Sequence, residues 1–319
     1  MKKVITTGMA LLMAGVLAGC GAGAGASASA GAVTTTAGGT TAAQSSAGET
    51  FTLGLICPLS GSSAVSGQIL KNATEMAVNE INEAGGINGT IKIVLAEVDD
   101  EGIPATSVTA MQKLVEQDKV NAVIGAQASS CTLANMEITK AAKIPQITPA
   151  SSNVAVTQSG NKYIYQMTAT DELHMRNIMK YMSGEKGAKS FAILYESSDF
   201  GTGGFKIASD ICGEFGLEMA ASEVYNAGDT DFSVVLSKMQ KAEPDFFIFW
   251  GYHTEVAMIC KQMQQYGISF PVIGQGYNSP ELTNLGGAAV NGIMIDTAFD
   301  AANPDEKVQA FDKKYTELY

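Results

Sequence analysis

The sequence predicts an α/β fold of two doubly wound, Rossmann-like lobes joined by hinge strands. Three observations carry that prediction. Short apolar runs alternate with stretches of helical length from residue 51 onward. The alternation starts afresh near residue 190. About 270 residues beyond a low-complexity N-terminal segment exceed what one core usually holds.

The chain opens with Lys2 and Lys3, an apolar run from Val4 to Val16, and then Leu17-Ala18-Gly19-Cys20. The run is too short to span a bilayer, so residues 1–19 read as a signal peptide. The small residues before Cys20 resemble a bacterial lipobox, which implies cleavage before Cys20, lipidation there and a membrane anchor. Residues 20–50 are almost wholly Gly, Ala, Ser and Thr. Such a stretch cannot bury a core and reads as a flexible tether with a reach of roughly 30 Å.

Loss of Lys2 and Lys3 from the 20 basic residues leaves 18 against 32 acidic ones, a formal −14. That balance argues against nucleic acid as a partner. No later segment is apolar enough to cross a membrane. Cys57, Cys131, Cys212 and Cys260 are widely spaced, with no CxxC pair or neighbouring histidine. They leave a zinc site or a disulfide framework unsupported and read as small apolar residues, one disulfide among them being left open.

Phe51 to Pro58 is a first strand, followed by a helix whose expected buried face is Ile69, Ala73, Met76, Ala77 and Ile81, stopped by Gly85-Gly86. A strand at Ile91 to Val98, a helix at Ala105 to Gln117, a strand at Asn121 to Gly125 and a helix at Ser130 to Lys143 continue the alternation. Short strands at Gln146 to Thr148 and Tyr163 to Met167 precede a helix from Asp171. The second set has strands at Ser190 to Tyr195, Leu217 to Tyr225, Asp245 to Trp250, Pro271 to Gly274 and Gly292 to Asp296. Asp231 to Ala242 and His253 to Tyr266 are among its helices.

Ligands of open α/β sheets bind at the carboxyl ends of the strands. The loops selected by that rule are Leu59 to Gly67, Ala126 to Ser130, Pro149 to Asn153, Glu196 to Gly204, Gly251 to Thr254 and Gln275 to Ser279. They are rich in Ser, Gly, Gln and aromatics, which suits a small polar solute and no cofactor.

Several segments together resemble the branched-chain amino-acid-binding proteins of ABC importers: Pro58-Leu59-Ser60-Gly61, Ile81 to Gly89, Asp99-Asp100, Val123-Ile124-Gly125, Ile147 to Asn153 and Trp250 to His253. The resemblance implies a type I periplasmic-binding-protein fold, with a first lobe of residues 51–169 and 299–319 and a second of 170–298. It implies a monomeric receptor that hands a small carboxylate-bearing solute to permease and ATPase subunits. Ser129, Ala150 and Ser152 match the site for the ligand's carboxylate, two hydroxyls and a backbone N–H; Ser129 also suits a plain helix N-cap. Tyr252 matches an aromatic that closes over the ligand, its alternative being a core residue at a strand end.

The departures bear on the ligand. The acid that pairs with the ligand's ammonium in the family corresponds to Gly276, followed by Tyr277. Ser66 stands where an aromatic is common, Phe200 replaces a tyrosine and Gln166 an arginine. Either the solute lacks an α-ammonium, or Asp171, Asp199 or Glu255 takes over the pairing. The family's disulfide positions correspond to Gly102 and Ala128, which implies no bridge. Family members usually run well beyond a segment like Phe311 to Tyr319, so a truncated C-terminus and an exposed first-lobe edge are expected.

Neither histidine sits in a catalytic motif, and the Ser-x-x-Lys at Ser183 to Lys186 contains Gly184 at a helix end. His174 and His253 stand alone, Gly-x-Ser-x-Gly is missing, and Asp99-Asp100 read as cap and rim residues. The expected mechanism is hinge closure, with bending near Thr168 to Asp171 and Thr297 to Phe299. A sensor presenting the same closure to a signalling partner is the alternative; an extracytoplasmic hydrolase is the more distant one.

Overall fold

The computed structural model describes residues 49–276 and 279–319. The signal-peptide and tether readings, with Cys20, lie outside the described residues, as does Tyr277. Two parallel five-stranded sheets organise the rest. The first contains β1 (Thr50–Cys57), β2 (Lys92–Asp99), β3 (Ala122–Ile124), β4 (Gln146–Thr148) and β5 (Ile164–Gln166), in the order β2-β1-β3-β4-β5. The second contains β6 (Ser190–Glu196), β7 (Glu218–Tyr225), β8 (Phe246–Trp250), β9 (Val272–Gln275) and β10 (Met294–Asp296), in the order β10-β9-β8-β6-β7.

Helices fill the crossovers. They are α1 (Ala64–Glu83), α2 (Pro104–Gln112), α3 (Ser129–Ala142), α4 (Ala155–Gln158), α5 (Asp171–Lys180), α6 (Asp199–Ile211), α7 (Ser233–Lys241), α8 (His253–Gln265), α9 (Pro280–Gly286) and α10 (Glu306–Leu318). Strand ends differ from expectation by one or two residues. The last strand starts at Met294 because the Ile293 N–H is spent in a turn on the Val290 carbonyl.

In the second sheet the period of two puts apolar groups on both faces. Phe191, Ile193, Phe246, Ile248 and Trp250 pack to one side, and Ala192, Leu194, Phe247 and Phe249 to the other. Burying each such side chain stabilises by about 1.5–3 kcal/mol before conformational entropy is subtracted. The first sheet has a smaller apolar cluster around Ile56, Met111, Leu114 and Val123. Beside it runs a fully buried polar set that includes Asp100, Ser107, Asn135, Thr139 and Gln146.

The expected face of α1 is corrected by the structure. Met76 is buried, but Ile69, Ala77 and Ile81 are exposed, and Gly67 and Val78 complete the buried strip. Polar anchors help to set the orientation of this helix: Lys71 pairs with Glu97, and the Asn82 side chain bonds the Ile93 N–H and carbonyl at 2.8 Å each. α10 lies against α1 through Lys314 to Glu80 and through the Tyr315 hydroxyl, which donates to the Ile69 carbonyl. The four cysteines of the described residues are free.

Gly67 fixes how closely α1 approaches the end of β1, since a Cβ there would stand 1.7 Å from the Pro58 carbonyl oxygen. At Gly184 an added Cβ meets nothing within 4 Å. Gly67→Ala is therefore expected to lower the thermal midpoint by at least about 4 °C, while Gly184→Ala leaves it nearly unchanged. Parallel melts of the two variants check this.

Candidate ligand-binding site

The carboxyl ends of both sheets face one cavity of about 270 Å³. Its first-lobe wall includes Ser66, Ser129, Ala150 and Ser152, and its second-lobe wall Phe200, Tyr252, Gly276 and Glu281. A cavity of this size suits a small solute and falls just below the range typical of drug-sized ligands. Among the described residues no group of His, Cys, Asp and Glu is placed to hold a metal, and no helix is long and apolar enough to cross a membrane.

On the first-lobe side the start of α3 sets the chemistry. Its N-cap is Ala128, which makes no side-chain capping bond, and Ser129 is the first helical residue. The alternative of Ser129 as a plain N-cap is thus not what the chain adopts. Without a capping side chain, the first-turn N–H groups are available to an anion. Ser129 and Ser152 are both 2% exposed, so a ligand reaching them sheds its water.

The turn carrying these residues is tied down from below. The Ser151 hydroxyl bonds Thr132 at 2.7 Å and the Gln127 carbonyl at 3.1 Å, and the Gln166 side chain donates to the Ser151 carbonyl at 2.7 Å. Gln127 itself lines the cavity, and its side-chain Oε1 is buried without a partner. An unsatisfied buried acceptor costs about 1–3 kcal/mol, which marks this amide as waiting for a donor.

The second-lobe wall is aromatic and acidic. Tyr252 is the N-cap of α8 and no simple core residue; its ring packs on Phe200 at 5.5 Å, and Phe200 on Trp250 at 5.8 Å. Burial and then the nearby Glu196 carboxylate push the Tyr252 phenol well above its ordinary range, so it stays a neutral donor. Glu281 stands in the first turn of α9, where Thr254 Oγ1 donates to its Oε1 at 2.9 Å. His253 contacts the Gly276 carbonyl at 3.2 Å. Burial lowers its pKa, while Glu281 and that carbonyl pull the other way.

The three acids proposed from sequence to replace the missing one are not in the cavity wall. Asp199 and Glu255 line an adjoining cavity, and Asp171 is fully buried at the start of α5 behind Ser152, whose carbonyl accepts the Asp171 N–H at 2.8 Å. The acid in the wall is Glu281. Ser279-Pro280-Glu281 is a helix-start pattern, a cap followed by proline and an acid, and the sequence carried that signal. Gly102 and Thr168 also line the cavity outside the loops singled out, although both follow strand ends and the same topological rule selects them.

These features place the chain in a known class. A family model described as periplasmic binding protein matches residues 50–319, and the chain belongs to that family. It is 30% identical over 270 residues to the leucine-, isoleucine-, valine-, threonine- and alanine-binding protein of Pseudomonas aeruginosa, covering 84% of this chain and 72% of the relative. Its fold is similar to the branched-chain amino acid transporter substrate binding protein LivJ of Streptococcus pneumoniae in complex with isoleucine. The TM-score there is 0.79 at 30% identity, covering 85% of this chain and 78% of the other. An ABC-transporter solute binding protein of Rhodopseudomonas palustris in complex with 3,4-dihydroxybenzoic acid gives a TM-score of 0.75 at 25% identity, over 85% and 74% of the two chains.

Asp171 is a fully buried carboxyl whose oxygens make no well-formed hydrogen bond, the Ser152 side chain being its polar neighbour. Burial raises its pKa from 3.8 to about 6, against smaller opposing effects of Ser152 and His174. A raised acid pKa means that the folded state holds the proton more tightly. The associated stability is complete below about pH 4 and lost as pH rises through about 6. Asp171→Asn is expected to be more stable than the parent near pH 7 by on the order of 2–3 kcal/mol, with the advantage vanishing below about pH 4. Thermal midpoints of both chains measured across pH 3.5–8 check the sign.

Proposed function

We propose that this chain is the extracytoplasmic, lipid-anchored receptor of an ABC importer and that it captures a small α-amino acid by closure of its two lobes. The observation that carries this reading is the composition of one cavity. Ser129 at the uncapped start of α3, with Ala150 and Ser152 in the turn after β4, faces it from one lobe, and Glu281 from the other. A carboxylate on the hydroxyls and helix N–H groups, with an ammonium toward Glu281, leaves neither charge of a zwitterion unpaired.

Docking comes first on the lobe of residues 51–169 with 299–319. Residues 170–298 then close over it, bringing Tyr252 and Phe200 onto the solute. The chain bends where it crosses between lobes, next to Asp171 and after β10. The closed shape is what permease and ATPase subunits recognise, and Cys20 keeps the receptor at their membrane. Binding without turnover is all that this mechanism needs.

A second reading has one observation in its favour: the Rhodopseudomonas palustris relative holds a carboxylate that lacks an ammonium. Titration calorimetry separates the two. Ser129→Ala with Ser152→Ala is expected to abolish high-affinity binding under either reading, with the melting transition retained. Glu281→Gln is expected to weaken amino acids by about 2–5 kcal/mol and to leave ammonium-free carboxylates unharmed. Unchanged amino-acid affinity in the Glu281 variant would sink the zwitterion reading.

A further inference from the structure

We infer that the solute carries a hydrogen-bonding side chain, a hydroxyl or a carboxamide, and that Gln127 reads it. The inference rests on the amino-acid reading above and deepens it. Gln127 lies between β3 and α3, two residues before Ser129, so it borders the position assigned to the ligand's carboxylate. Its main-chain carbonyl is already committed to the Ser151 hydroxyl at 3.1 Å, which fixes the backbone. Its side-chain Oε1 is buried and has no partner, although the residue lines the cavity.

The neighbouring wall has the same character. Ser62, Ser63, Ser66 and Gly102 share the first-lobe side with the small apolar groups of Pro58, Ala128 and Pro149, and no large aliphatic or aromatic side chain stands on it. An aliphatic substituent entering here strips water from these hydroxyls and leaves the Gln127 carbonyl unsatisfied. A substituent with an O–H or N–H satisfies it. Sites built to bond a polar group reject the apolar isostere far more strongly than apolar pockets reject the polar one. The polar wall therefore sorts solutes against leucine, isoleucine and valine while keeping their shape.

Two pairs matched in shape test this: threonine against valine, and asparagine against leucine, each titrated into the full chain, with alanine as a reference that has neither group. The polar member of each pair is expected to bind at least about tenfold tighter, a difference of about 1.4 kcal/mol. In Gln127→Leu both ratios are expected to fall below one. Valine and leucine matching or exceeding their partners in the parent chain would overturn the inference whether or not the variant folds. So would unchanged ratios in a variant that melts like the parent. Binding of alanine with no polar preference overturns this inference alone; failure of alanine and of all four others to bind overturns the amino-acid reading with it.

Discussion

A chain of buried hydrogen bonds beneath the start of α3 is the constraint on which the site depends. Asp100 accepts from the Ser107 hydroxyl at 3.1 Å, Ser107 from the Asn135 amide at 2.9 Å, and Asn135 from the Gln146 amide at 2.8 Å. Gln146 also accepts from Thr139 at 2.7 Å and donates to the Gly125 carbonyl at 2.9 Å. All five residues are fully buried. Each bond adds only about 1 kcal/mol net, yet breaking one strands a buried polar group at a cost of about 1–3 kcal/mol. The network thus contributes more to holding one geometry than to overall stability. That geometry is the turn from Gly125 to Ala128, and with it the direction in which α3 presents Ser129.

The two lobes solve different problems with different materials. The first spends polar residues on fixing a rigid cradle, and the turn at Ser151 and Ser152 is part of it through Thr132, Thr148 and the Ala126 carbonyl. The second has a core of stacked aromatics in β6 and β8 and offers the ligand the rings of Tyr252 and Phe200. An aromatic surface gains from closing over almost any desolvated solute, so it adds affinity with little discrimination. The polar groups that face the cavity beside these rings are few, Gln127 with an unpaired Oε1 on one wall and Glu281, bonded by Thr254, on the other.

Much of this was legible in the sequence. Strand and helix alternation located both sheets, and the strand-end rule selected the loops that supply most of the cavity wall. What escaped has identifiable causes. Apolar spacing misassigned the face of α1 because Lys71 and Asn82 bind that helix to β2 by polar contacts. The buried network was invisible because Asn135, Gln146 and Ser107 are residue types that periodicity assigns to solvent. Glu281 is not legible from the position of Gly276, because the cavity reaches five residues further along the chain. Gln127 sat in a selected loop, but only its surroundings reveal that its carbonyl lacks a donor.

The crossings between the lobes show how the first-lobe cradle and the second-lobe wall are joined. His174, one turn into α5 and 4% exposed, bonds Asp296 through Nδ1 at 2.7 Å. Asp296 ends β10, and its carbonyl accepts the Gly276 N–H at 3.0 Å on the cavity rim. On the other side of α5 the Asp171 N–H reaches the Ser152 carbonyl, and the Asn153 side chain reaches across to the Asp199 carbonyl at 2.6 Å. Both crossings are therefore bonded to residues at the cavity. Of these bonds only Asp171–Ser152 and Asn153–Asp199 join the first lobe to the second, whereas His174, Asp296 and Gly276 belong to the same lobe, so a change in lobe angle must alter the surroundings of Ser152. The start of α5 is thus the element that joins the first-lobe wall at Ser152 to the second sheet.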